Sequence, residues 1–121
     1  MEKKKLLVIE DNFFIMRMVQ SFLSEIDCQI IHADNGIDGH NIAQKERPEI
    51  LLIDIMLPGM NGLDIVKSLR NLPEFKNTPI ILMSANAEEK DIQSGYDSGC
   101  DDYITKPFSK EILQNSIKKY L

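Results

Sequence analysis

The chain lacks a run of apolar residues long enough to cross a membrane. It lacks an excess of positive charge: 14 Lys and Arg against 19 Asp and Glu leave a net charge of −5, which argues against direct nucleic-acid binding. Cysteine is scarce. Cys28 and Cys100 are far apart and without metal-ligand spacing, so both read as reduced thiols in or near the core. His32 and His40 are isolated, and neither sits in a phosphohistidine or metal setting. No repeat or low-complexity tract is present. The start is basic, but the apolar stretch 6–9 is too short for a signal-peptide core and runs straight into Glu10 and Asp11, so a cytoplasmic protein is expected. What remains is an ordinary globular composition, 43% apolar and 27% charged, over 121 residues, enough for one domain with one core.

The most informative stretch is Ile50-Leu51-Leu52-Ile53-Asp54, four large apolar residues ending in a carboxylate, followed by a turn rich in Pro and Gly. A short, wholly apolar run reads as a strand covered on both faces, as in a parallel sheet flanked by helices. Similar runs stand at 6–9 and 80–83, and shorter strands are expected at 30–33 and 102–105. Helical spacing between them predicts helices over about 12–26, through His40 to a stop at Pro48, from Leu63 to Leu69, over about 88–98, and over about 109–120 with Ser109 as N-cap. Five β–α units of this size specify an α/β doubly wound parallel sheet, because parallel strands need right-handed crossover helices. One sequence does not give strand order. The short doubly wound order 2-1-3-4-5 fits the length and puts its switch point between the first and third strands.

In such sheets ligands gather beyond the carboxyl ends of the strands. The first strand delivers Glu10 and Asp11 there, the third Asp54, the fourth Ser84 and the fifth Lys106. A lone Asp after a strand is more often a turn cap, but here the pattern recurs. Three acids at one edge repel unless a cation offsets them, and Mg²⁺ suits one or two carboxylates plus waters and phosphate oxygens. A carboxylate is also a nucleophile toward phosphorus, and phosphoryl transfer asks mainly for positioning and charge neutralisation. Lys106 and the Ser84 hydroxyl supply both, so the constellation reads as a phospho-acceptor site.

Glu10-Asp11-Asn12, Asp54 with the stretch from Met56 to Gly62, Ser84-Ala85, and Tyr103-Ile104-Thr105-Lys106-Pro107-Phe108 together resemble the receiver domain of bacterial two-component response regulators. The resemblance runs the length of the chain, so 1–121 is expected to be a single receiver domain, a five-stranded CheY-like (flavodoxin-like) three-layer sandwich of order 2-1-3-4-5. It implies that Asp54 is the phosphorylated residue and that Glu10, Asp11, Asp54 and the Met56 backbone carbonyl hold Mg²⁺. It further implies that Lys106 contacts the phosphoryl group, and that Ser84 and Tyr103 are the switch hydroxyl and the rotating aromatic. The departures are small: Ser rather than Thr at 84, and Cys at 100 where similar chains carry Ala. Such a domain is a switch rather than an enzyme. It takes its phosphoryl group from a histidine kinase or histidine phosphotransfer protein and acts on a downstream protein.

Other classes fit less well. A dehalogenase-like phosphatase places a second Asp two residues after the nucleophile, where this chain has Met56. A flavin-binding module needs a phosphate loop after the first strand, and Glu10-Asp11 would repel one. A receiver excised from a larger regulator or hybrid kinase fits equally. Receivers of the winged-helix transcription factors are similar in pairing charges across a symmetric dimer on the face of the fourth helix, fifth strand and fifth helix. Their basic positions fall here at Ile92 and Ser116. A monomer is therefore expected. Phe13 and Phe14 cannot both face the core of one helix, so one is expected at the site mouth.

Overall fold

The computed structural model describes residues 3–121. Five strands, β1 (Lys4–Ile9), β2 (Cys28–Ala33), β3 (Ile50–Asp54), β4 (Ile80–Ser84) and β5 (Asp102–Thr105), alternate with five helices. These are α1 (Phe13–Phe22), α2 (Gly36–Glu46), α3 (Gly62–Arg70), α4 (Glu89–Ser98) and α5 (Lys110–Tyr120), with a 3₁₀ turn at Pro73–Phe75. The sheet is wholly parallel in the order β2-β1-β3-β4-β5, as expected.

The two-residue period of the strands sorts the core into two layers. Leu7, Ile9, Leu51, Ile53, Ile80 and Leu82 face α2 and α3 through Ala43, Ile65, Val66 and Leu69. Leu6, Val8, Ile50, Leu52, Ile81 and Met83 face α1 and α5 through Met16, Val19, Leu23, Leu113 and Ile117. Every residue of β3 and β4 is buried, which is why these runs show no alternation in the sequence. Among the described residues, no helix is long and apolar enough to cross a membrane.

The helix starts follow their caps. Asn12 accepts from the Ile15 N–H, Asn35 from Asp38, Asn61 from Leu63 and Ser109 from Ile112. Arg47, in the left-handed region at φ 47°, closes α2 just before Pro48. The first helix is shorter than its apolar period suggests and ends at Phe22. The Ser24 hydroxyl donates to the Ser21 carbonyl, and the Ile26 N–H to the Leu23 carbonyl, so tight turns replace the helical ladder. Ile26 still packs on the core, from a turn rather than a helix face. Phe13 and Phe14 are both exposed, at 64% and 79%, stacked edge to face. Both cysteines are free. Burial, with Asp101 and Asp102 adding, pushes the Cys100 thiol up to about 12, and half-burial raises that of Cys28. Neither is an activated nucleophile.

Candidate functional site

The site is assembled by strand ends. Glu10 follows β1 and is 1% exposed, Asp54 closes β3 at 4%, and Ser84 closes β4 at 1%. Lys106 directly follows β5 and is joined to Pro107 by a cis peptide bond. Gly62 lets α3 start hard against β3, because a side chain there would overlap the Asp54 carbonyl. Asp54 is thus held from below by a packed helix start.

Carboxylate oxygens of Glu10, Asp11 and Asp54 converge to within 4.8 Å of one another. Buried charges are costly unless paired, and here they are. Lys106 Nζ lies 2.6 Å from Glu10 Oε1 and 3.3 Å from Asp54 Oδ2. Glu10 Oε2 accepts from the Asn12 N–H at 3.1 Å, and Asp54 Oδ1 from the Met56 N–H at 3.4 Å. Burial still holds the Glu10 carboxyl above its ordinary value; the Lys106 and Asn12 bonds offset this in part, and the nearby Asp54 adds to it. The sequence suggested three unrelieved acids; in the fold, one cation already relieves two of them, and the third, Asp11, is exposed. Two buried carboxylates beside one open to water suit a hard, partly hydrated cation such as Mg²⁺.

The second half of the site is a relay. Ser84 Oγ accepts from the Asn86 N–H at 3.1 Å, which leaves the hydroxyl proton available for a new acceptor. The Asn86 carbonyl accepts from the Tyr103 hydroxyl at 2.8 Å. The Tyr103 ring packs on α4 in a notch left by Gly95, where an added Cβ would come within 2.7 Å of the ring. Gly95, which reads in the sequence only as a weak helix position, is therefore a packing requirement.

Of the residues singled out from the sequence, the fold brings Glu10, Asp11, Asp54 and Lys106 together. Ser84 lies one residue beyond Met83, the partner of Asp54 in the ladder. Met56 sits at the rim, 69% exposed. Tyr103 reaches the site only through Asn86. Sequence reasoning missed the backbone roles of Asn12 and Asn86, and it missed Arg70. Asp101 pairs with Arg70 at 2.8 Å. Backbone contacts and long-range pairs of this kind leave no local pattern to find.

The family model described as the response regulator receiver domain matches residues 6–118. The chain belongs to that family, whose members are signalling modules rather than classical enzymes. Among curated proteins it is 35% identical over 117 residues to the transcriptional regulatory protein SrrA of Staphylococcus aureus. That match covers 97% of this chain and 47% of SrrA, so the chain spans about half the length of the curated relatives it matches. The chemotaxis response regulator CheY4 of Vibrio cholerae superposes with a TM-score of 0.91 at 28% identity, covering 98% and 99% of the two chains. The receiver domain of a sensor histidine kinase from Pseudomonas aeruginosa superposes at 0.89 with 25% identity, covering 98% and 97%, and carries a magnesium ion in its active-site cleft.

Proposed function

We propose that residues 1–121 form a single receiver domain working in the cytoplasm, with Asp54 accepting a phosphoryl group from a histidine kinase or histidine phosphotransfer protein. The observation that carries this reading is a buried carboxylate at a strand end, 3.3 Å from a lysine ammonium and clustered with two further acids. An Asp54 carboxylate oxygen attacks the phosphorus of the donor phosphohistidine. The new O–P bond forms as the N–P bond breaks, and the imidazole nitrogen keeps the electron pair. Glu10, Asp11, Asp54 and the Met56 carbonyl would hold Mg²⁺, which would neutralise charge on the phosphoryl oxygens; the magnesium in the Pseudomonas relative supports that assignment. In this reading Lys106 exchanges Glu10 for a phosphoryl oxygen, and the free proton of Ser84 is donated to another. That donation draws on the hydroxyl that holds Asn86, and through Asn86 it reaches Tyr103.

The output is then a change of protein contacts at α4 and β5, read by a downstream protein. The 47% coverage of SrrA favours a second reading, in which the same switch is one part of a longer regulator or hybrid kinase. The test is direct. Incubation with Mg²⁺ and a small phosphodonor should add one phosphoryl group, mapped to Asp54 by tandem mass spectrometry. Asp54→Asn should abolish it, and Lys106→Ala should leave a protein that is phosphorylated but switches poorly. Phosphate on any other residue of the wild type would overturn the assignment.

A further inference from the structure

The described contacts of α4 differ sharply between its two ends. At the C-terminal end, Gly99 closes the helix at φ 116°, and its carbonyl accepts from Arg70 Nε at 2.8 Å. The same guanidinium donates through Nη1 to the Phe75 and Thr78 carbonyls at 2.6 and 2.7 Å, and through Nη2 to Asp101 Oδ2 at 2.8 Å. That Asp101 oxygen also accepts the Ile80 N–H at 2.8 Å. One side chain, 18% exposed, thus ties together the ends of α3 and α4 and the starts of β4 and β5. The planar fork of Arg can serve these divergent acceptors at once, whereas the single ammonium of Lys cannot.

At the N-terminal end, residues 85–90 are all exposed, and the Glu88 cap makes no side-chain hydrogen bond. The hydrogen bonds that lead from the phosphorylation site, from Ser84 to Asn86 and from Asn86 to the Tyr103 hydroxyl, meet the loop before this end, while the Tyr103 ring packs farther along the helix at Gly95. Ten helical residues make a rod of about 15 Å, fixed at one end and acted on at the other.

We propose that Arg70 is a positioning residue of the switch: it makes Gly99 a fulcrum, so that α4 tilts as a lever and its N-terminal half alone changes its contacts. The proposal rests on the phospho-acceptor reading, and its test separates the two. Hydrogen exchange is followed residue by residue in the full chain, with and without Mg²⁺ and a small phosphodonor, while intact mass reports phosphorylation of the same samples. In the wild type, the donor-induced change should fall on amides 86–94 and leave 96–101 untouched. In Arg70→Lys, which keeps the charge and loses the fork, that change should spread through 96–101, with exchange there roughly tenfold faster, as expected for loss of a hydrogen bond to a charged group. A wild-type protein that gains phosphate but changes along the whole helix would overturn the lever, whether or not the variant folds. A variant whose change stays confined to 86–94 would remove Arg70 from it. No gain in mass would overturn the phospho-acceptor reading, and the lever with it.

Discussion

Helices α3 and α4 lie side by side on the same face of the sheet, and each begins after a strand that ends in a site residue. They are built to opposite purposes. The start of α3, Gly62, is pressed against the Asp54 carbonyl, and Ile65, Val66 and Leu69 are fully buried. In α4, only Gly95 and Ser98 are buried, and the loop leading into it is exposed. The acidic half of the site is therefore mounted on packed elements, while the half bearing Ser84 is mounted on one that few contacts restrain. The proposed phospho-acceptor role asks for the first, because displaced carboxylates would lose both metal and phosphoryl group. A switch asks for the second, because small shifts at the site are read out only if some element has two arrangements of similar energy.

The sharpest way to break the comparison is to remove a core side chain from each helix. Leu69→Ala in α3 should cost about 2–5 kcal/mol, the loss expected for a fully buried leucine. Ile92→Ala in α4, where the side chain is only half-buried, should cost less than about 1.5 kcal/mol. Urea unfolding measures both. Equal losses would mean that α4 is as firmly seated as its neighbour, and the division of labour would fail.

This contrast was only half legible in the sequence. Buried apolar runs at 50–53 and 80–83 revealed the strands, because full burial on both faces leaves an unmistakable signature. Strand ends then located Glu10, Asp54, Ser84 and Lys106 without any knowledge of contacts. Strand order followed from fold resemblance rather than from the residues, since pairing depends on which crossovers pack where. Helix lengths were overestimated at α1, because Ile26 continues the apolar period from a turn. Arg70 was invisible: its partners lie between 5 and 31 positions away and are mostly backbone carbonyls, which any residue carries. The role of Gly95 leaves no trace either, because a glycine that seats an aromatic ring looks, in one dimension, like one that merely weakens a helix.

A smaller effect sharpens the view of the packed half. If it holds a partly relieved cluster of acids, Mg²⁺ at about ten times its Kd should stabilise the wild type by about 1.4 kcal/mol through linkage. Since Lys106 already pairs with Glu10 and Asp54, removing the exposed Asp11 should relieve little. Asp11→Ala should melt about 2 °C higher without metal, equivalent to a few tenths of a kcal/mol, and should respond less to Mg²⁺. Thermal melts in chelator and in Mg²⁺ decide it. A wild-type melting curve indifferent to millimolar Mg²⁺ would count against a metal site between β1 and β3.

The smallest expected effect is no effect at all, and it concerns the face that the sparsely packed half presents. Symmetric receiver dimers of the winged-helix kind need free acids after α4 and bases on α4 and α5. Here both acids are occupied within the chain: Asp101 by Arg70 and the Ile80 N–H, Asp102 by the Ser116 hydroxyl at 2.6 Å. Ser116 and Ile92 also stand where the bases would be. An isologous interface repeats each contact, so every missing pair is lost twice. The large apolar side chains exposed on this face are Tyr96 and Ile112, 42% and 55% exposed, which suit an apolar contact with a different protein. Light scattering at micromolar concentration should therefore report a monomer before and after phosphorylation, and Asp101→Asn should change the exchange of the amides around Gly99 without changing the mass. A phosphorylation-dependent dimer that Asp101→Asn dissociates would show that Asp101 leaves Arg70 on activation. The fulcrum would then be released by the same event it was thought to serve.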